Sequence, residues 1–186
     1  SLNMKYSRTA AVILVATTIA LPAAAQAKDE DAWATASDVG AYGLTAVALG
    51  LPLIKGDEQG ALQAAGSIGA ALLVTTGLKE TFPELRPDGS DRKSFPSGHT
   101  SRAFAAAATI YNREGPSAGI PAMAVASFVG VARVQADKHF WHDVLVGAGI
   151  GMASGFLITR QRSEKQAMIV PWGDTKSAGV SVAIRF

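Results

Sequence analysis

The chain has no cysteine, few charges and only three histidines, and each scarcity removes a class of chemistry. Without cysteine there is no disulfide, no thiol nucleophile and no zinc–thiolate centre. Charged residues are 17% of the 186, and a net charge of +2, evenly spread, does not make a nucleic-acid surface. All histidine chemistry must come from His99, His139 and His142. What is abundant is apolar: 48% of the residues are hydrophobic, a composition that leans toward a membrane-embedded protein. The length supports one domain with one core, since domains run to roughly 100–200 residues.

The N-terminus reads as an export signal. Met4 to Arg8 is short and positive, Ala10 to Leu21 is apolar, and Pro22 with Ala25-Gln26-Ala27 supplies a helix break and a small-residue cleavage pattern. Residues 1–27 are therefore expected to be a signal peptide, with an uncleaved first helix as the alternative. Residues 28–160 form the expected helical domain and 161–186 its tail.

Residues 28–38 are polar and acidic, with Trp33 suited to a membrane surface. The stretches 39–54, 59–78, 117–132 and 144–159 carry no charge, and 103–112 is a shorter apolar piece. Gly, Ala and Ser recur in all of them, which permits close helix–helix approach in a bilayer. At about 1.5 Å per residue the longer ones reach roughly 24–30 Å, enough for a short span. The expected fold is all-α: a membrane-embedded bundle of five helices after the signal segment, with a small C-terminal β-hairpin or extended tail built from 167–170 and 180–184 around Gly173-Asp174. If residue 28 is delivered outside, Lys55, Arg113, Arg160 and Arg162 fall inside, as the positive-inside rule prefers. Three polar clusters then share the outer face.

The first cluster is Lys79 with Arg86-Pro87. Lys and Arg at the end of an apolar helix suit the non-bridging oxygens of a phosphate, and equally suit snorkelling toward lipid headgroups. The second is Pro96-Ser97-Gly98-His99, where Ser97 can cap a helix, Gly98 admits an anion close to the backbone, and the helix start favours negative charge. The third is Arg133, His139 and Asp143: an anion-binding arginine and a histidine whose tautomer a carboxylate can set. His142 is a rival nucleophile. His99, His139, His142 and Asp143 also have the ligand types of a metal site, although the surrounding Lys and Arg favour an anion over a cation.

In order, internal spacing and placement at helix ends, these clusters resemble the three signature motifs of the type 2 phosphatidic acid phosphatase (PAP2) family. The resemblance implies that His139 attacks phosphorus, that Asp143 orients it, and that His99 protonates the leaving oxygen. It implies that Lys79, Arg86, Ser97, Gly98 and Arg133 hold the phosphate, with no metal and no cofactor. One departure is Ala132, where the third motif usually has serine before its arginine. The implied activity is a lipid phosphatase at the periplasmic face of a bacterial inner membrane, acting on monoesters or pyrophosphates. Its implied partners are the lipid phosphate substrate and membrane lipids, with no nucleic acid and no obligate protein partner. A soluble periplasmic acid phosphatase and a non-catalytic envelope anion-binding or scaffold protein are the alternatives.

Overall fold

The computed structural model describes residues 23–161, 167–173 and 178–184. Five helices come first: α1 (Ala23–Ile54), α2 (Glu58–Thr81), α3 (Gly98–Glu114), α4 (Pro116–Gln135) and α5 (Trp141–Ile158). Two strands follow, β1 (Ala167–Gly173) and β2 (Ala178–Ile184). The expected five-helix count holds, and so does the hairpin. Its strands pair antiparallel from Ala167 opposite Ile184 to Gly173 opposite Ala178, so both are longer than expected, and Asp174 lies outside the described residues. Most of the expected signal segment, residues 1–22, lies outside the described residues.

Helix boundaries have local causes. Asp57 caps α2 by accepting from the Gly60 amide at 2.9 Å, and Ser97 caps α3 through the Thr100 amide. Gly115 adopts φ +83°, a left-handed conformation that closes α3, and Pro116 then starts α4. The first helix differs from expectation. No Gly or Pro interrupts residues 23–39, so the helix begins well before the uncharged stretch 39–54, and the polar, acidic residues 28–38 are continuous with its apolar part. Trp33, expected at a membrane surface, stands 6.0 Å from the ring of Phe128 on α4.

Helix α3 is the centre of the bundle and packs against each of the other four. Its Ala103 and Ala105 to Ala108 are fully buried. The interface with α5 depends on small residues: a Cβ on Gly147 would lie 2.6 Å from the Ser97 carbonyl, and those on Gly151 and Gly155 would meet the Ser101 carbonyl and the Ala108 methyl. The four-residue spacing of these glycines makes a flat stripe along which two backbones touch. Between α2 and α3, hydroxyl pairs set the register: Thr75 donates to Ser101 at 2.9 Å and Thr109 to Ser67 at 3.1 Å.

The outer faces of the bundle are apolar. Leu62, Leu73, Ile120, Val125, Phe128, Leu145, Phe156 and Leu157 are exposed, more apolar surface than a water-soluble monomer tolerates. Residues 29–54 of α1, together with α2, α4 and α5, are each long and apolar enough to cross a membrane. The up-and-down chain path leaves two polar ends. One holds Arg113, whose guanidinium pairs with Asp57 and donates to Gln63 at 2.8 Å and to the Arg160 carbonyl at 3.1 Å. The other gathers the C-termini of α2 and α4 and the N-termini of α3 and α5, and with them all three clusters.

Candidate active site

The site is assembled around the segment joining α2 to α3. The Lys79 ammonium, at the end of α2, donates to the carbonyls of Lys93, Ser94 and Pro96 at 2.6, 3.2 and 2.6 Å. An ammonium has three N–H donors. Lys79 therefore clamps this segment with all of them and presents its charge, rather than a free donor, to the space beyond. Arg86 is held differently: its Nε donates to Asp91 at 2.8 Å, and among the described residues its terminal nitrogens make no hydrogen bond. The hydrogen bond from Arg86 holds the Asp91 carboxyl below the usual carboxylate range.

Two links tie this segment to the turn between α4 and α5. The Asp88 amide donates to the Asp137 carbonyl at 3.0 Å, and Lys138 donates to the Asp88 carboxylate at 2.6 Å. Burial pushes the Asp88 carboxyl up, but the bonds from Lys138 and Ser90 outweigh it and bring it down to about 2. A third link carries the chemistry: the Ser94 hydroxyl donates to Asp143 Oδ2 at 2.5 Å, and the same oxygen accepts from the Phe140 amide at 2.9 Å. Asp143 thus caps α5 and is fixed from two sides, at 0% exposure.

His139 lies against that carboxylate, with Nδ1 3.4 Å from Asp143 Oδ2. This is an ion-pair distance without hydrogen-bond geometry, and among the described residues Nδ1 makes no other bond. Burial lowers the pKa of the imidazole, Asp143 pulls the other way, and the positive charges of Arg133, Lys79 and Arg86 lower it further. A neutral ring with one nitrogen turned to a carboxylate has its other nitrogen available for attack.

A cavity of about 240 Å³ opens beside these groups, lined by Lys79, Arg86, Gly98, His99 and His139 together with Leu72, Thr75, Thr76 and Arg102. Five of the eight residues expected at the site therefore share one wall. The other three stand behind it. Ser97 is fully buried and shares a 2.9 Å hydroxyl contact with Thr100, Asp143 backs His139, and Arg133, only 6% exposed, lies against α1. Ala132 is also fully buried. Although the position before Arg133 lacks a hydroxyl, one reaches that arginine from Ser37, which accepts from Nη1 at 3.3 Å.

His142 is outside the cavity wall. Its ring stacks on Phe140 at 5.5 Å between centroids, and its Nε2 lies 3.0 Å from both oxygens of Glu84. Among the described residues Glu84, His142 and Asp143 bring carboxylate and imidazole atoms close enough to hold a metal ion. His99 and His139 do not join that group.

Four residues escaped the sequence reading. Asp38 approaches His99 and Arg133, and Ser37 reaches Arg133; both come from the polar, acidic stretch 28–38, to which the sequence reading gives no role at the site. Ser94 sits in a loop whose path no local pattern sets. Arg102 carried a usable signal, because residues three apart on a helix share a face, and it follows His99 at that spacing.

Residues 60–167, more than half of the chain, match the model of the PAP2 superfamily. The chain is 38% identical over 103 residues to a lipid A 1-phosphatase of Porphyromonas gingivalis, covering 53% of this chain and 23% of that protein. It is 30% identical over 121 residues to a lipid A 4'-phosphatase of Helicobacter pylori, covering 57% of this chain and 61% of that one. It thus spans less than two thirds of the length of either relative. The fold matches the crystal structure of Aquifex aeolicus LpxE, with a TM-score of 0.60 at 23% identity over 77% of this chain and 98% of that one. It also matches a transmembrane PAP2-type phosphatidylglycerolphosphate phosphatase of Bacillus subtilis, with a TM-score of 0.55 at 23% identity over 73% of this chain and 83% of that one.

Proposed function

Because the chain belongs to the PAP2 superfamily, we propose that it hydrolyses phosphate monoesters or pyrophosphates of lipids through a phosphohistidine intermediate, without a metal. The observation that carries this reading is the single cavity lined by Lys79, Arg86, His99 and His139. In the first step the free imidazole nitrogen of His139 attacks phosphorus. An N–P bond forms, the P–O bond to the lipid breaks, and the leaving oxygen takes the electron pair and a proton from His99. In the second step water attacks the phosphohistidine, His99 takes back a proton, and the N–P bond breaks to release phosphate and neutral His139. Asp143 stabilises the imidazolium character of His139 as the bond forms. Arg86 offers its unbonded terminal nitrogens to the phosphoryl oxygens, while Lys79 and Arg133 act chiefly as charge. These cations supply the positive field that a metal ion provides elsewhere.

The lipid nature of the substrate is supported by the apolar outer faces of the bundle and by relatives whose names specify lipid A phosphates. Candidates include lipid A phosphates, phosphatidic acid, phosphatidylglycerol phosphate and undecaprenyl pyrophosphate. A site on the periplasmic face follows if the N-terminal segment is an export signal that delivers residue 28 outside, because α1 then runs inward from the end that holds the site. The same exposed apolar faces weigh against a soluble periplasmic acid phosphatase, which would stay in solution without detergent.

The test is phosphate release from a lipid phosphate in detergent with EDTA present. His139→Asn is expected to lose activity by roughly 10³-fold or more, and His142→Asn to retain most of it. Activity that survives the first substitution, or disappears on adding EDTA, contradicts the mechanism.

A further inference from the structure

The cavity extends below the reacting groups. On α2 its wall runs from Lys79 through Thr76 and Thr75 to Leu72, and on α3 from Gly98 and His99 to Arg102. Seven residues of helix span roughly 10 Å and three roughly 4.5 Å, and the Thr75–Ser101 hydrogen bond brings the two walls level. Arg102 therefore stands about one turn below His99, part of the way toward the apolar end at Leu72.

The charge at Arg102 is held in an unusual way. Asp91 bonds Arg86, Asp38 faces Arg133, and the donors of Lys79 are taken by backbone carbonyls. Arg102, among the described residues, makes no ion pair and no hydrogen bond; its guanidinium lies 4.7 Å above the Tyr42 ring. Tyr42 also meets the His99 ring edge-on at 6.1 Å, so one side chain of α1 fixes both groups. Stacking on an aromatic face orients the guanidinium plane without using its N–H groups. Five donors and a positive charge remain available inside the cavity, beside the residue that serves the leaving group.

We propose that Arg102, seated on Tyr42, is a second phosphate subsite, and that the substrate class it selects is lipid diphosphates. The inference rests on the phosphatase reading above. When the terminal phosphorus is at His139, the phosphate bonded directly to it falls about one turn lower, at Arg102, and the lipid chain continues past Leu72 toward the apolar face. Attack by His139 then breaks the bridging P–O bond. The lipid monophosphate departs with the electron pair, and Arg102 stabilises the charge that develops on it. A phosphate separated from the reacting one by a sugar or glycerol would overshoot this position.

The experiment uses the full chain in detergent and a matched pair of substrates, one long-chain prenyl alcohol as its monophosphate and as its diphosphate. Arg102→Ala is expected to lower kcat/KM for the diphosphate about 10- to 100-fold more than for the monophosphate, as loss of a charged hydrogen-bond donor would. Arg102→Lys recovers part of that difference, and Tyr42→Leu, which removes the seat, loses part of it. Equal losses on the two substrates with Arg102→Ala, or wild-type turnover of the monophosphate alone, overturn the proposal while leaving the phosphatase reading intact. A wild-type protein inactive on both overturns that reading and this one with it.

Discussion

His99 Nε2 lies 2.9 Å from Asp38 Oδ1, a carboxylate brought from another helix, and the same oxygen is 3.5 Å from Arg133 Nη1. Both histidines of the cavity thus face a carboxylate, but in contrasting settings. The partner of His139 is at 0% exposure, whereas the Asp38 side chain is 50% exposed. The buried partner suits a nucleophile that must stay in one orientation. The Asp38 oxygen that faces His99 is itself buried, but the His99 side chain is 28% exposed against 2% for His139, as suits an acid that must exchange protons with water.

Asp38 is accordingly expected to act as a positioning residue for His99. Asp38→Asn should lower kcat on a lipid phosphate by about 10-fold or more, within the range general acid catalysis contributes. On an aryl phosphate, whose leaving oxygen needs little protonation, the loss should be several-fold smaller. Steady-state kinetics on the two substrates check this. Equal losses on both would mean that Asp38 acts only through packing.

His139 should titrate below the ordinary histidine value of about 6.5, because burial and three neighbouring cations disfavour its charged form more than Asp143 favours it. The folded protein therefore binds fewer protons there than the unfolded chain. That contribution to stability is fully present above about pH 6.5 and is lost as the pH falls through the lower, folded value. With three histidines in the chain, NMR titration of labelled imidazoles in wild type, His99→Gln and His142→Gln assigns each curve. A His139 midpoint at or above 6.5 contradicts the electrostatics described.

The stripe on α5 makes a contrast within one helix. A Cβ on Gly151 runs into the α3 backbone, whereas Gly149 has nothing within 4 Å. Gly151→Ala is expected to destabilise by about 1–3 kcal/mol. Gly149→Ala should be neutral or stabilising by up to about 1 kcal/mol through reduced chain entropy. Thermal unfolding in detergent measures both. Gly151→Ala should also depress activity, since α3 and α5 carry His99 and Asp143.

Helix number and the clustering of chemistry at helix ends were legible because each has a local cause: an uncharged run, a cap, a proline. Lys79, Arg86, Gly98, His99 and His139 could be grouped from residue type and spacing, and they share one cavity wall. Where the reading was incomplete, the cause was distance along the chain. Residues 28–38 read as a polar, acidic stretch with Trp33 at a membrane surface, and nothing within them points to the site. Only when α1 packs on α3 and α4 does Asp38 reach His99 and Arg133. Nothing local reveals, either, that the segment after α2 folds back over the Lys79 ammonium.

The sequence by itself determined the apolar helices, the caps that end them and the inventory of phosphate-handling side chains, because these follow from the preferences of neighbouring residues. The tertiary structure decided which of those side chains face the cavity, which brace them from behind, and that Ser37, Asp38, Ser94 and Arg102 belong with them. The physical reason lies in the small-residue contacts of α3. Backbones that approach closely enough to touch turn residues scattered over five helices and two loops into one site, and no pattern within a single segment encodes that approach.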